Sequence, residues 1–362
     1  MRGPIGYFSS SYVEARQKFL DTCTSVGAPV THYLNPNGVG PHNEDLVTDV
    51  ACIGPSNAEL LYIVASATHG VEGFLGSGCQ VGFLRERLFE ERPRNSSILF
   101  VHAMNPFGFA HVRRVNEDNV DLNRNFVNHT EPYPIKAEYE LVHPLLVPEE
   151  WDGPSRASAD GKISSLIETH GLAWYQSAVS SGQYLHSDGV FYGGQVPVWS
   201  NQNWRKILAK FAPGRLRIGF LDLHTGLGPY GYGEPMFLSW PDMIQYERAR
   251  QWYGDDVTAP EAGDSTSAAV QGVVAASFKD VDVNAEITAI ALEFGTVPVL
   301  EVLDAVRADN WLYVHGNPLS SMGKTIKRQI RDAFYCDEDD WKHLVWDRSV
   351  DIFRKGLSGL GG

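Results

Sequence analysis

Four apolar runs of strand length constrain the fold of this chain more than any other feature of its sequence. Each is continuously hydrophobic and is followed by polar residues or glycine: Glu59–Ala67, Ser97–Met104, Leu216–Leu223 and Ala289–Glu293. Continuous rather than alternating hydrophobicity is typical of strands that are covered on both faces. Helical patterns lie between and before these runs, most clearly over Tyr12–Thr24 and Gly73–Glu90. Strands that alternate with helices predict an α/β fold, with a central mixed, mostly parallel sheet flanked by helices.

The candidate functional residues lie between residues 69 and 293, which favours one domain over two. The 362 residues have room for one large domain or two of average size. Because a boundary between those residues would divide the site, we predict a single domain over 1–362. Its catalytic core is expected over about 45–315, with helices over about 324–356 packed on it. The stretch 144–163, which is rich in Pro, Glu, Asp, Gly and Ser, is predicted to be a surface insertion.

Charge and composition narrow the classes of partner. A formal net charge of −14 argues against binding to nucleic acid or to an anionic membrane surface. No stretch approaches the ~20 apolar residues of a membrane helix, and the N-terminus has no apolar segment typical of a secretory signal. The four cysteines are far apart and without a CxxC pair, so we expect free thiols and a cytoplasmic protein: Cys23, Cys52, Cys79 and Cys336.

Two histidines and two glutamates lie where apolar runs end. His69 and Glu72 are three residues apart after the first run, so on a turn their side chains project the same way. His224 follows the third run, and Glu293 closes the fourth. Catalytic zinc commonly takes three protein ligands, and two histidines with one glutamate are a recurring set. A single HxxE motif occurs often by chance, but the joint pattern predicts a zinc site with Glu293 as the base for a water molecule.

The other histidines are interpreted as structural or solvated. His102 lies inside the second run and is predicted to be a satisfied core residue. The remaining ones lack the context of a strand end: His111, His129, His143, His170, His186, His315 and His343. Asp222 precedes His224 by two residues and has two interpretations, either orienting the imidazole of that ligand or helping to end the strand.

The order of these motifs resembles the zinc carboxypeptidase superfamily, over most of the chain from about residue 60 to 300. The resemblance rests on the HxxE motif, on Asn105–Gly108 (NPFG), on Asn119–Phe126 (NVDLNRNF), and on the later His224 and Glu293. Residues 222–225 (DLHT) and 292–295 (LEFG) are more similar to the aspartoacylase and succinylglutamate desuccinylase branch. Residues 7–20 are similar to a bacterial subgroup described only as a domain of unknown function. The fold implied by the superfamily is again one α/β domain with a mixed sheet.

The resemblance implies a role for each matching residue. The three metal ligands would bind one zinc ion per chain, and Glu293 would act as general base and acid. Asn123 and Arg124 correspond to the pair that holds the free carboxylate of the substrate. The arginine that polarises the scissile carbonyl corresponds to Arg113 or Arg114, and Arg114 is preferred. For the substrate-capping tyrosine there is no certain equivalent, although Tyr230 and Tyr232 lie nearby in the sequence.

The implied activity is zinc-dependent hydrolysis of an amide bond next to a free carboxylate, as in a carboxypeptidase or an N-acyl amino acid deacylase. The substrate would be a peptide or a small molecule. An esterase or another hydrolase on the same scaffold is not separated by sequence. A binding protein without activity is disfavoured, because every ligand position and the base are present. The segments 226–234 and 131–154 are expected to shape the pocket, and a homo-oligomer is left open.

Overall fold

One seven-stranded sheet forms the centre of the computed structural model, which describes residues 3–239, 241–280 and 284–362. The strands are, in chain order, β1 Val30–Leu34, β2 Val47–Ile53, β3 Leu60–Ala65, β4 Ser96–His102, β5 Arg217–Tyr230, β6 Gly233–Phe237 and β7 Glu286–Gly295. Their order across the sheet is β1-β2-β4-β3-β5-β7-β6. The four central strands are parallel, while β1, β2 and β6 run antiparallel to their neighbours. The predicted mixed sheet with a parallel centre is confirmed.

Helices cover both faces of this sheet. They are α1 Tyr12–Ser25, α2 Gly73–Arg85, α3 Pro106–Ala110, α4 Leu122–Asn125, α5 Ala137–Leu146, α6 Pro154–His170, α7 Leu172–Ser180, α8 Trp199–Phe211, α9 Met243–Tyr253, α10 Val299–His315, α11 Ser321–Phe334 and α12 Asp339–Gly361. The helix expected over Tyr12–Thr24 is present as α1. The helices expected in the C-terminal part are present as α11 and α12.

Two hydrophobic cores lie on opposite faces of the sheet. Successive side chains of a strand point to opposite faces, so Tyr62 and Val64 of β3 enter the core shared with α1, α2 and α12. The intervening residues Leu61 and Ile63 enter the second core, which includes Trp204 of α8. Burial on both faces explains why the strand sequences are continuously apolar.

Two predicted strand ends are wrong. The apolar run that ends at Leu223 continues as β5 to Tyr230, and β7 continues to Gly295. His224 and Glu293 therefore lie inside paired strands rather than after them. The extension is polar and rich in glycine, but backbone pairing between β5 and β7 does not require apolar side chains.

One predicted helix ends early, and one predicted insertion contains helices. The helix expected over Gly73–Glu90 ends at Arg85, because Arg87 adopts a left-handed conformation with φ of 56° before a short 3₁₀ turn. The stretch 144–163, which is predicted to be a surface insertion, is largely helical, since it holds the end of α5 and the start of α6. Its Trp151 is buried against Trp311, with the ring centroids 5.7 Å apart.

The cysteines agree with expectation, and His102 is buried as predicted although only one of its ring nitrogens has a partner among the described residues. His102 is buried in β4, where its Nε2 lies 2.9 Å from Ser77 Oγ and its ring stacks on Phe19. Its Nδ1 makes no hydrogen bond within the described part of the chain. The four cysteines are free thiols. Among the helices of the described ranges, none combines the length and the apolar character needed to cross a bilayer.

Candidate metal centre

The turn after β3 positions the first two predicted ligands. His69 is extended, with φ of −98° and ψ of 125°, and the 3₁₀ turn Gly70–Glu72 leads directly into α2. The Gly70 N–H donates to the Arg114 carbonyl at 3.1 Å, which joins this turn to the arginine loop. A Cβ atom on Gly70 would lie 2.1 Å from the Gly108 carbonyl carbon. Glycine is required here because the two backbones approach too closely for any side chain.

The parallel pairing of β5 and β7 positions the other two residues. His224 and Glu293 are direct register partners on these neighbouring strands. Beyond them the register shifts between Gly226 and Tyr230, and Gly226 has a φ of 133°. The Leu227 N–H then donates to Glu293 Oε1 at 3.0 Å and holds that carboxylate.

His69, Glu72 and His224 form one buried cluster. Ligand-capable atoms of the three side chains all lie within 4.8 Å of one another. His224 Nδ1 is 2.8 Å from Glu72 Oε2, and the two imidazole centroids are 5.1 Å apart. His69 Nδ1 is buried and makes no hydrogen bond to the described residues. Two imidazoles and one carboxylate are a donor set that suits zinc, so the residues present fit the ion that the sequence predicts.

Asp222 lies beside the second histidine of the cluster. Its Oδ2 is 2.8 Å from His224 Nε2, and its Oδ1 accepts a hydrogen bond from Thr68 Oγ1 at 2.7 Å. Burial acts to lower the pKa of His224, but the carboxylates of Asp222 and Glu72 raise it well above its usual value. The geometry fits the interpretation in which Asp222 orients the imidazole.

The surroundings of His69 shift its pKa in the opposite direction from that of His224. Burial and the Arg114 guanidinium hold the pKa of His69 well below its usual value. Glu293 is 7% exposed, and its pKa is raised to about 8 because the carboxylate is buried and faces the charge of Glu72. The cavity is therefore lined by an imidazole whose pKa is lowered and by a carboxyl group whose pKa is raised.

Arg114 contacts the cluster directly. Its Nη1 donates to Glu72 Oε1 at 3.0 Å, and its Nη2 lies 2.8 Å from His69 Nε2. Its Nε donates to Asp121 Oδ2 at 3.0 Å. The guanidinium is thus fixed by hydrogen bonds on two sides, beside the predicted ligands.

The adjacent Arg113 points elsewhere. Its Nε donates to Asp309 Oδ2 and its Nη2 to Asn119 Oδ1, both at 2.9 Å. The guanidinium lies 4.2 Å from the ring centroid of Tyr313. The structure does not bring Arg113 to the cavity over the cluster, so its predicted contact with substrate has no geometric support.

Asn123 and Arg124 line that cavity. Arg124 is held by backbone carbonyls: Nη2 donates to Ser180 O at 2.5 Å, and Nη1 donates to Asn123 O at 3.0 Å. The nearest described carboxylate oxygen, of Asp121, is 3.9 Å from Nη1. Asn123 Oδ1 accepts from the Val274 N–H at 2.9 Å, which leaves its Nδ2 as the donor available to a ligand.

Asp121 is the functional neighbour that sequence reasoning did not assign. It is fully buried between His69, Arg114 and Arg124, with its Oδ1 3.5 Å from His69 Nδ1. Although burial opposes it, these three groups hold the pKa of Asp121 below its usual range. The residue stands within the NVDLNRNF segment, so its position in that motif was the available signal.

The cavity has a volume of about 90 Å³ and adjoins a cleft of about 740 Å³. The polar side chains in its wall include those of His69, Arg114, Asn123, Arg124, His224 and Glu293. Glu72 lies beneath this wall, with 1% of its surface exposed. The two spaces share the walls formed by Leu238, Pro260, Val270 and Val273.

The two segments expected to shape the pocket contribute little to this cavity. Within 226–234 only Leu227 lines it, and Pro134 and Lys136 from 131–154 line the larger cleft. Tyr230 and Tyr232 are outside the wall, and Tyr230 Oη donates to Asp340 at 3.0 Å.

Comparisons with known proteins give one family and a set of similar structures. A family model described as "Protein of unknown function (DUF2817)" matches residues 8–348. Bovine thrombin-activatable fibrinolysis inhibitor is 10% identical with a TM-score of 0.49, and the match covers 98% of each chain. Carboxypeptidase A from Helicoverpa armigera is 13% identical with a TM-score of 0.44, over 90% of this chain and 74% of the other.

A third similar structure is the succinylglutamate desuccinylase from Chromobacterium violaceum. It is 14% identical with a TM-score of 0.37, over 83% of this chain and 74% of the other. A search of curated protein sequences gives no significant match.

Proposed function

The chain belongs to the family described as a protein of unknown function (DUF2817), and for this member we propose a zinc-dependent hydrolase that cleaves an amide bond next to a free carboxylate. The observation that carries the proposal is the arrangement around one cavity. His69 and His224 of the cluster line this cavity together with Glu293, Arg114 and Arg124, and Glu72 lies behind them. The nearest described carboxylate oxygen to Arg124 is 3.9 Å away.

The three clustered side chains would hold the metal. A zinc ion held there would act as a Lewis acid on a carbonyl oxygen and make a water molecule more acidic. Thr68 and Asp222 support this arrangement, since a carboxylate beside a ligand imidazole fixes the orientation of its ring.

Glu293 is the proton carrier in the proposed reaction. It takes a proton from water while the water oxygen forms a bond to the acyl carbon. It then delivers that proton to the nitrogen, and the carbon–nitrogen bond breaks to give a carboxylic acid and an amine. The hydrogen bond from the Leu227 N–H keeps one carboxylate oxygen occupied. The other oxygen is left for the proton transfer.

Arg114 is assigned to the developing negative charge on the carbonyl oxygen. Its guanidinium is already oriented by Asp121 and Glu72, so it need not reorganise during the reaction. A fixed positive group next to a water-excluding wall stabilises such a charge more than water would. The packing of Phe191 and Phe334 near this guanidinium supplies an apolar wall.

Arg124 and Asn123 are assigned to the free carboxylate of the substrate. A guanidinium presents a planar fork that matches a carboxylate in two parallel hydrogen bonds. Burial lowers the pKa of Arg124, and the nearby Asp121 carboxylate only partly offsets this effect. Asp121 also compensates Arg114, at the shorter distance of 3.0 Å, so a substrate carboxylate would add compensation for the charge of Arg124.

The first test compares a variant that lacks two of the proposed metal ligands with Glu293→Gln, which lacks only the proposed base. We expect the double variant His69→Ala/His224→Ala to lose one zinc equivalent and all amide hydrolysis. Glu293→Gln should keep that zinc while turnover falls by about 10²–10⁴-fold, the usual contribution of a positioned acid–base group. Metal content is measured by mass spectrometry of the dialysed protein. Turnover is measured in a screen of C-terminal peptide substrates and N-acyl amino acids, each beside its ester.

The exposed Glu168 provides a matched control. Glu168→Gln removes a carboxylate of the same kind from the surface of α6 and should leave turnover unchanged. Full activity of Glu293→Gln would show that the mechanism is wrong. A wild-type protein that binds no zinc after reconstitution, or that hydrolyses only esters, would contradict the proposed function.

A further inference from the structure

A second group of metal-binding side chains lies away from the cavity. Glu140 and His143 are one helical turn apart on α5, and His186 and Asp188 lie on the loop between α7 and α8. His143 Nε2 is 3.1 Å from Asp188 Oδ1, and His186 Nε2 is 2.9 Å from Glu140 Oε1. Ligand-capable atoms of His143, His186 and Asp188 all lie within 4.8 Å of one another. None of the four residues lines the cavity over the first cluster.

The loop that carries His186 and Asp188 is held rigidly from behind. Gln183 Oε1 accepts from the His186 N–H at 2.8 Å, and Gln183 Nε2 donates to the His186 carbonyl at 2.7 Å. The buried Asn310 donates to the Asp188 carbonyl at 2.7 Å. Tyr139 of α5 donates to the carbonyl of Val190 at 2.8 Å, which ties the helix to the loop. The two ligand-bearing elements are therefore fixed relative to each other before any ion binds.

The two imidazoles are stacked closely, with their centroids 3.8 Å apart and an interplanar angle of 23°. A ring nitrogen of each and a carboxylate oxygen of Asp188 therefore lie within reach of one ion. Imidazole nitrogen and carboxylate oxygen can bind the same divalent ion, which would also compensate the negative charges of Asp188 and Glu140.

We propose that His143, His186 and Asp188 form a second site for a divalent transition-metal ion, with Glu140 beside it. Imidazole and carboxylate ligands suit zinc, cobalt and nickel better than magnesium or calcium. The site is half-exposed and accessible from solvent. Its role is structural rather than catalytic, because the loop it fixes continues directly into Phe191. The Phe191 ring lies 5.1 Å from the Arg114 guanidinium carbon and 5.6 Å from that of Arg124.

Zinc stoichiometry tests this site separately from the first. In the His69→Ala/His224→Ala background, the remaining zinc is measured by mass spectrometry after equilibrium dialysis against zinc salt. We expect one equivalent to remain, and His143→Ala/His186→Ala added to that background to remove it. Asp188→Asn should weaken the binding without emptying the site at high zinc, because one of three ligands loses its charge.

Two further measurements keep the outcome interpretable. Where the quadruple variant does not fold, as judged by circular dichroism, His143→Ala/His186→Ala in the otherwise unchanged protein should lower the zinc content by one equivalent. The control His42→Ala/His343→Ala removes two exposed histidines from outside the cluster and should change nothing. A zinc content that His143→Ala/His186→Ala leaves unchanged would overturn the proposal, whatever happens at the first site.

Discussion

At the scale of single residues, Arg113, Arg114 and Arg124 differ in how closely a carboxylate compensates their charge. Arg114 and Arg113 each have a carboxylate at hydrogen-bonding distance, from Asp121 and Asp309 respectively. Arg124 is buried and donates to backbone carbonyls, and its nearest described carboxylate oxygen, of Asp121, is 3.9 Å away. A buried charge is unfavourable unless it is paired. Of the three, Arg124 therefore gains most from an incoming anion.

Arg124→Gln should weaken binding of substrates with a free carboxylate far more than binding of their carboxamide analogues. A hydrogen bond to a charged group contributes about 1.5–3 kcal/mol, so the free-acid substrate should lose about 10- to 100-fold in kcat/KM. Rates for the acid and the amide are compared within the same variant, which cancels any loss of folded protein. Arg87→Lys, at an exposed site, serves as the control. An equal loss for acid and amide would contradict the assigned role of Arg124.

The sequence could predict the residues with a motif and could not predict those that depend on the fold. The position at the end of an apolar run identifies four residues in the sequence, and the structure brings them together: His69, Glu72, His224 and Glu293. Arg113 and Arg114 are adjacent in the sequence. A motif comparison that is uncertain by one residue therefore cannot decide which of them polarises the carbonyl. The pairing of His143 with His186 joins a helix to a distant loop, and no spacing along the chain indicates it.

At the scale of elements, the glycine positions determine how closely the functional turns pack. The turn Gly70–Glu72 lies against the backbone of α3 at Gly108, whereas Gly161 lies exposed within α6 with open space around it. The sequence did not predict how closely the backbone packs around either glycine. Hydrophobic patterns locate strands and helices, but they do not show where two backbones touch or where a glycine-rich strand continues, as β5 does.

Alanine at these two glycines should change stability in opposite directions. Gly70→Ala requires the backbone to move away from Gly108, and overpacking of this kind costs about 1–3 kcal/mol. Gly161→Ala should stabilise the protein by about 0.5–1 kcal/mol, because alanine restricts the unfolded chain and favours helix. Urea denaturation gives both free energies of unfolding. Equal effects of the two substitutions would show that Gly70 is not tightly packed.

At the scale of the whole molecule, the last two helices are joined to the strands that carry the site. Thr225 Oγ1 donates to the Phe334 carbonyl at 2.6 Å, at the end of α11. Trp341 Nε1 of α12 donates to the Gly295 carbonyl at 2.9 Å, at the end of β7. Both contacts lie within two residues of His224 or Glu293. The C-terminal helices therefore support the site directly, which favours the predicted single domain.

A single domain of this kind should unfold in one cooperative transition. Differential scanning calorimetry of the metal-free protein is expected to give one peak whose calorimetric and van't Hoff enthalpies agree. Zinc at about 100 times its Kd should raise the stability by about 2.7 kcal/mol per site. Two resolved peaks, with the helices 324–356 melting apart from the sheet, would contradict the single-domain prediction.

The register between β5 and β7 also limits how this site can change in evolution. His224 and Glu293 are opposite one another, so their separation follows from the spacing of neighbouring strands. A one-residue insertion or deletion in either strand would turn one of them to the other face. Substitutions in the surrounding loops leave the pair intact. A change in the length of either strand is therefore expected to break up the arrangement of His224 and Glu293, whereas a change in the length of a surrounding loop is not.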